Sequence, residues 1–187
     1  DDVERVLERI KELNRRVEEI VRRVLKTSRD LNKELNDISR EVLKRIKDLM
    51  REVEEVVRRD GGESKDVEDI LRRVLEEVKR LVDEVERLAR EINEESRRLS
   101  ERVKRTAEEV NKEVKRLVER VVEKLKGKEE LIRELERIVE ESKRTSDKLA
   151  KELDKLNEDS ERNSRKNIED LRRLVEELAR KAEELIK

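Results

Sequence analysis

Apolar residues recur along this chain at alternating steps of three and four, the spacing that lays side chains on one face of an α-helix. From Val3 the series runs through Val6, Leu7, Ile10, Leu13, Val17, Ile20, Val21, Val24 and Leu25. It continues with Leu31, Leu35, Ile38, Val42, Ile46, Leu49, Val53 and Val56. Against a strict heptad the stripe drifts by about one position over its length, so its period lies a little above 3.5 and implies gentle supercoiling. The same stripe runs from Val67 to Leu125 and again from Leu131 to Ile186. Counting the polar residues that interrupt it, the first stripe holds roughly three inward positions per heptad. That is wider than a two-position seam and suits a helix with several neighbours.

Three glycines punctuate the pattern, and they stand where a division into three requires them. Asp60-Gly61-Gly62-Glu63-Ser64 interrupts the stripe; glycine there reaches the left-handed conformation that ends a helix, and Ser64 is a good N-cap with Asp66 in the following first turn. Lys126-Gly127-Lys128 makes the second break, ahead of Glu129 and Glu130. The expectation is an all-α fold of three very long antiparallel helices, at about 2–59, 65–126 and 128–187, running up-down-up as a rod-like coiled-coil bundle. Residues 1–187 would form a single domain. At about 1.5 Å per residue each helix is about 90 Å long.

Polar residues break the stripe in clusters. The first helix carries Asn14, Thr27, Ser28, Asn32, Asn36 and Ser39 at or beside core-facing positions. The second carries Asn93, Ser96, Ser100, Thr106 and Asn111, and the third Ser142, Thr145, Ser146, Asn157, Ser160, Asn163, Ser164 and Asn167. With turns near 62 and 127, the first and third helices run parallel at an offset of about 128 residues. Asn14 is then level with Ser142, Ser28 with Asn157, Asn32 with Ser160, Asn36 with Ser164, and Ser39 with Asn167. The antiparallel second helix brings Asn111 near the first of these levels, Ser96 and Ser100 near the second, and Asn93 near the third. A buried hydroxyl or amide is costly unless hydrogen-bonded, so a shifted register strands these groups. Layers of this kind add little net stability and penalise misaligned states.

In these layers, its long uninterrupted helices, its minimal loops and its restricted alphabet, the whole chain resembles de novo designed helical bundles and heterodimers with buried hydrogen-bond networks. The resemblance is one of style across the chain and rests on no single motif. It implies a structural or interaction role. Spectrin-like three-helix repeats fit less well, because their helices are shorter and their cores aromatic.

Composition narrows the chemistry. The chain has no His, Cys, Pro, Gln, Trp, Tyr or Phe, and 55% of it is charged, with 51 basic against 52 acidic residues for a net charge of −1. Such a charge fraction suits disorder when the apolar residues are scattered; here they are periodic and the two signs are interleaved. Without Cys there is no disulfide framework or thiolate, and without His the commonest metal ligand and general base is missing. Dimetal carboxylate bundles use Glu-x-x-His pairs, which this sequence lacks. The expectation is therefore no enzyme, no catalytic residue, no metal and no cofactor. Basic pairs such as Arg22-Arg23 and Arg97-Arg98 are balanced by nearby Glu and have no aromatic neighbours, which argues against nucleic acid. No run approaches a membrane span, and no targeting pattern opens the chain. It reads as soluble and intracellular by default, and the missing initiator Met is consistent with a removed leader or tag.

The expected function is a designed interaction module that binds a separate helix, with a self-contained bundle as the alternative. In one, a groove between the first and third helices receives a separate amphipathic helix and completes a four-helix bundle, a heterodimer selected by Ser, Asn and Thr layers. The flank made by Leu25, Leu43, Met50 and Val57 and a surplus of polar residues near Asn93 favour it modestly. In the other, the chain is a self-contained monomeric scaffold, or two copies cover each other's grooves.

Overall fold

The computed structural model describes residues 2–60 and 65–186, with side chains described within 3–59 and 65–184. The fold is all-α. Helix α1 spans Asp2–Asp60 with 59 residues, α2 spans Lys65–Lys124 with 60, and α3 spans Glu129–Ile186 with 58. Among the described residues there is no strand. The absence of proline lets each helix run unbroken. Acidic residues open α2 (Asp66, Glu68) and α3 (Glu129, Glu130), while Arg58 and Arg59 close α1, the polarity that helix dipoles favour.

The turn expected around Gly61 and Gly62, with Ser64 as N-cap, lies outside the described residues. The second turn is longer than the sequence suggested: α2 stops at Lys124, not 126, and α3 starts at Glu129, not 128. Its last turn tightens before the glycine is reached. The Leu125 amide is shared between the carbonyls of Val121 (3.0 Å) and Val122 (3.2 Å), and the Lys128 amide donates to Leu125 O at 3.0 Å. Gly127 then takes φ = 103°, a left-handed conformation in which a side chain would be strained. The Ile132 amide donates to Lys128 O at 3.3 Å, which starts the next helix.

Packing groups the chain into two compact units, each drawing a segment from all three helices. The first comprises Asp1–Arg29 with Glu95–Glu158, the second Asp30–Glu94 with Asp159–Lys187. In the first unit, Val17, Val21 and Leu25 of α1 meet Val103 of α2 and Leu153 of α3. Ile10 likewise meets Val114, Val118, Val121, Leu125 and Leu135 beneath the second turn. In the second unit, Ile46 packs with Val78, Val82 and Val85 and with Leu171, Val175 and Leu178. Val53, Val57, Val67, Leu71 and Ala182 form a further cluster there. Each fully enclosed Val, Leu or Ile contributes about 1.5–3 kcal/mol relative to exposure. Because every one of these clusters draws on more than one helix, no single helix buries its stripe alone. Among the described residues, the large apolar side chains that stay exposed are Ile20 on α1 and Ile70 on α2.

Candidate functional site

The polar residues inside the stripe are the one feature of this protein that a purely apolar packing scheme does not require. In the first unit, the Ser142 hydroxyl of α3 donates to Asn14 Oδ1 of α1. Asn157 of α3 turns its amide towards α2, donating from Nδ2 to Ser100 Oγ at 2.5 Å and to the Ser96 carbonyl at 3.4 Å. Ser100 Oγ in turn donates to the same Ser96 carbonyl at 3.0 Å. Ser28, Ser96, Ser100 and Asn157 are all buried. Three buried atoms at this level, Ser28 Oγ, Ser96 Oγ and Asn157 Oδ1, take no protein partner.

In the second unit, the Ser160 hydroxyl donates to Asn32 Oδ1. Asn167 Nδ2 donates to Asn36 Oδ1 at 3.1 Å, and Asn93 Nδ2 of α2 donates to Ser164 Oγ at 3.3 Å. Ser164 Oγ also donates back to the Ser160 carbonyl at 2.9 Å. Here the structure departs from the level-by-level pairing. Asn36 bonds Asn167 and not Ser164, because Ser164 faces α2 while Asn36 lies on the flank shared by α1 and α3. Ser39 is buried but spends its hydroxyl on the Leu35 carbonyl of its own helix at 2.9 Å.

Other members of the expected network stand apart from it. Thr27 is exposed and bonds the Arg23 carbonyl at 2.9 Å, and Thr145 bonds the Glu141 carbonyl at 2.9 Å. Asn163 is exposed too. Thr27 and Asn163 are therefore not buried polar residues: Thr27 follows Ile20 by one heptad on the outer edge of α1, and Asn163 sits on the outer side of α3 beside Arg162. Thr106, Asn111 and Ser146 are half-buried and take no side-chain hydrogen bond among the described residues. Asn111 and Ser146 do stand three turns, along each antiparallel helix, from the Asn157–Ser100 pair, which puts them opposite one another between α2 and α3.

Shallow grooves flank the helices. Between α1 and α3 in the second unit, a groove of about 370 Å³ is lined by Asn36, Ser39, Leu43, Asn163, Asn167 and Leu171, with Arg40, Lys166 and Asp170 at its rim. Between α1 and α2 the lining is more apolar: Ile38, Val42, Leu81, Val85 and Leu88 around about 400 Å³ in the second unit. Val3, Val6, Leu117 and Val121 line about 330 Å³ in the first. The α1–α2 grooves also carry charged residues, Glu84, Arg87 and Glu91 in the second unit and Arg5, Arg120 and Lys124 in the first.

Charge is confined to the outside. Glu12–Arg16 (3.0 Å) and Glu68–Arg72 (2.9 Å) bridge one turn of helix. Lys104–Asp154 (2.8 Å) joins α2 to α3, and Lys181–Glu54 (3.0 Å) joins α3 to α1. Arg172 of α3 bonds Glu86 of α2 and approaches Asp83 at 3.4 Å, while Arg90 donates to Glu86 at 3.0 Å. The Arg172 hydrogen bond holds the Glu86 carboxyl below its ordinary value, and the same bond raises the Arg172 guanidinium. Among the described residues no group of three or more His, Cys, Asp or Glu is placed to hold a metal ion. No helix among them is long and apolar enough to cross a membrane. The polar levels present neutral hydroxyls and amides, which exchange hydrogen bonds between helices.

No family model and no curated protein matches the chain. A solved structure does, one described as a "Computationally designed three helix bundle". It superposes with a TM-score of 0.56 at 15% sequence identity, over 98% of this chain and 87% of that one. The fold is a three-helix bundle. At this identity the likeness concerns architecture alone.

Proposed function

We propose that the chain is a designed structural module, a three-helix bundle of one domain that stands without a partner and does no chemistry. The observation that carries this reading is how the polar pairs close. Asn14 with Ser142, Asn32 with Ser160, Asn36 with Asn167, Asn93 with Ser164 and Asn157 with Ser100 are bonded between the chain's own helices. Groups meant mainly for an outside helix would leave these bonds unmade. Their role is to select one alignment of the helices, since a misaligned state buries amides and hydroxyls against Val and Leu. The design resemblance, the repetitive alphabet and the three-helix neighbour support a synthetic origin. The test is the unfolding midpoint over a hundred-fold range of protein concentration. A self-contained monomer gives a constant midpoint; a midpoint that climbs with concentration means that association completes the fold.

The second reading, a module that accepts one amphipathic helix or a second copy of itself, is favoured by the α1–α3 groove. Asn163 is exposed there beside Asn36 and Asn167, an arrangement suited to a visiting helix with Ser, Asn or Thr layers. Titration with such a helix, followed calorimetrically, distinguishes the two: saturable binding that Asn163→Ala weakens supports the groove, and no heat supports the closed bundle.

A further inference from the structure

One level of the first unit contains groups that its own side chains do not satisfy. Ser28 is 0% exposed, Ser96 3% and Asn157 8%, and Ser28 Oγ, Ser96 Oγ and Asn157 Oδ1 have no protein partner. Leu25 and Leu153, about one turn from Ser28 and Asn157, pack in a single cluster with Val103, which stands about one turn from Ser100 and two from Ser96. The bonds from Asn157 Nδ2 to Ser100 and Ser96 tie α2 and α3 together at that height. Ser28 brings α1 to the same height but is joined to neither.

Elsewhere three buried serines, Ser39, Ser100 and Ser164, settle the hydroxyl on the carbonyl four residues back, while Ser160 donates to Asn32. Turning Ser28 and Ser96 the same way would satisfy those two donors and leave Asn157 Oδ1 still without one. The Asn157 amide hydrogens and the Ser100 hydroxyl are already committed, so the oxygen needs an O–H from another source. A buried water makes about three hydrogen bonds to groups of this kind. We propose that this level is a binding site for one internal water, which donates to Asn157 Oδ1 and accepts from the hydroxyls of Ser28 and Ser96. The site is neutral and lies beside the apolar cluster of Leu25, Val103 and Leu153, which suits an uncharged dipole. Water bound there links all three helices, whereas the direct bonds join only α2 and α3.

The test is oxygen-17 relaxation dispersion on the full chain, which reports long-lived water itself and is blind to exchanging serine hydroxyls. The unaltered protein should show a long-lived water contribution that disappears in the Ser28→Ala, Ser96→Ala, Asn157→Leu triple variant. Equal dispersion in both overturns the proposal. Should the variant not fold, a crystal structure of the unaltered chain decides. An ordered water at about 2.7–3.2 Å from all three atoms supports the site; a serine hydroxyl bonded directly to Asn157 Oδ1 in a dry layer overturns it.

Discussion

Leu153→Ala probes the core where α1, α2 and α3 converge in the first unit. Leu153 is 0% exposed and packs against Val17, Val21, Leu25 and Val103, so each carbon removed leaves a fully enclosed place. Three carbons at about 0.8 kcal/mol each give about 2.4 kcal/mol of lost transfer energy. Collapse around the gap is limited, because Val17, Val21 and Val103 are β-branched and held to one rotamer in a helix. The residual cavity adds about 1 kcal/mol, for a total of about 3–4 kcal/mol, inside the usual range for Leu→Ala. The assay is guanidinium unfolding followed by circular dichroism at about 222 nm, a helix signal that needs no aromatic residue, with the slope unchanged between variants. Ile20→Ala is the control: Ile20 is 39% exposed, and its truncation should cost about 1 kcal/mol or less. A Leu153→Ala loss no larger than the control's would refute the reasoning, since Leu153 would then not be enclosed by three helices.

The Asn32–Ser160 bond should show as a coupling of about 0.5–1.5 kcal/mol in a double-mutant cycle to alanine. The unbonded pair Asn32 and Asn163 should be additive to within about 0.5 kcal/mol, and equal coupling in both cycles would remove the bond from the account. Thr27→Ala should change stability by no more than about 0.5 kcal/mol, because its hydroxyl is exposed and bonds only its own helix; a large loss in the same melts would place Thr27 in the network. Glu86, whose carboxyl is held below its ordinary value by Arg172, stabilises the fold above the ordinary carboxylate range and loses that contribution as pH falls through the lowered value. The stability difference between the unaltered chain and Glu86→Gln should therefore be full at neutral pH and vanish in acid; a difference independent of pH contradicts it.

The helices and the second break were legible because their causes are local: a stripe with a period just above 3.5, and a glycine where the stripe stops. The exact ends were less so. Leu125 belongs to the stripe by spacing, yet its amide is already shared between two carbonyls in a tightening turn. Among the polar residues, spacing gave the height and not the partner. Asn14 and Ser142 meet at their shared level, but Ser39 satisfies itself on Leu35, a choice open to any helical serine and invisible in sequence. Thr27 and Asn163 were read as inward because they border the stripe. A heptad count carries no information on which edge of a drifting stripe turns outward, and both fall on the outer edge. The Ser28, Ser96 and Asn157 level was predictable as a height; its unequal supply of donors and acceptors emerges only from the directions of the side chains.

The mass of the purified chain in solution tests the central claim most directly, by light scattering with refractive-index detection because the sequence has no aromatic residue. A closed three-helix bundle gives 22.5 kDa at every concentration and binds no hydrophobic dye. Twice that mass, or a dye-binding monomer, would contradict it and show that an apolar seam of the bundle waits for another helix.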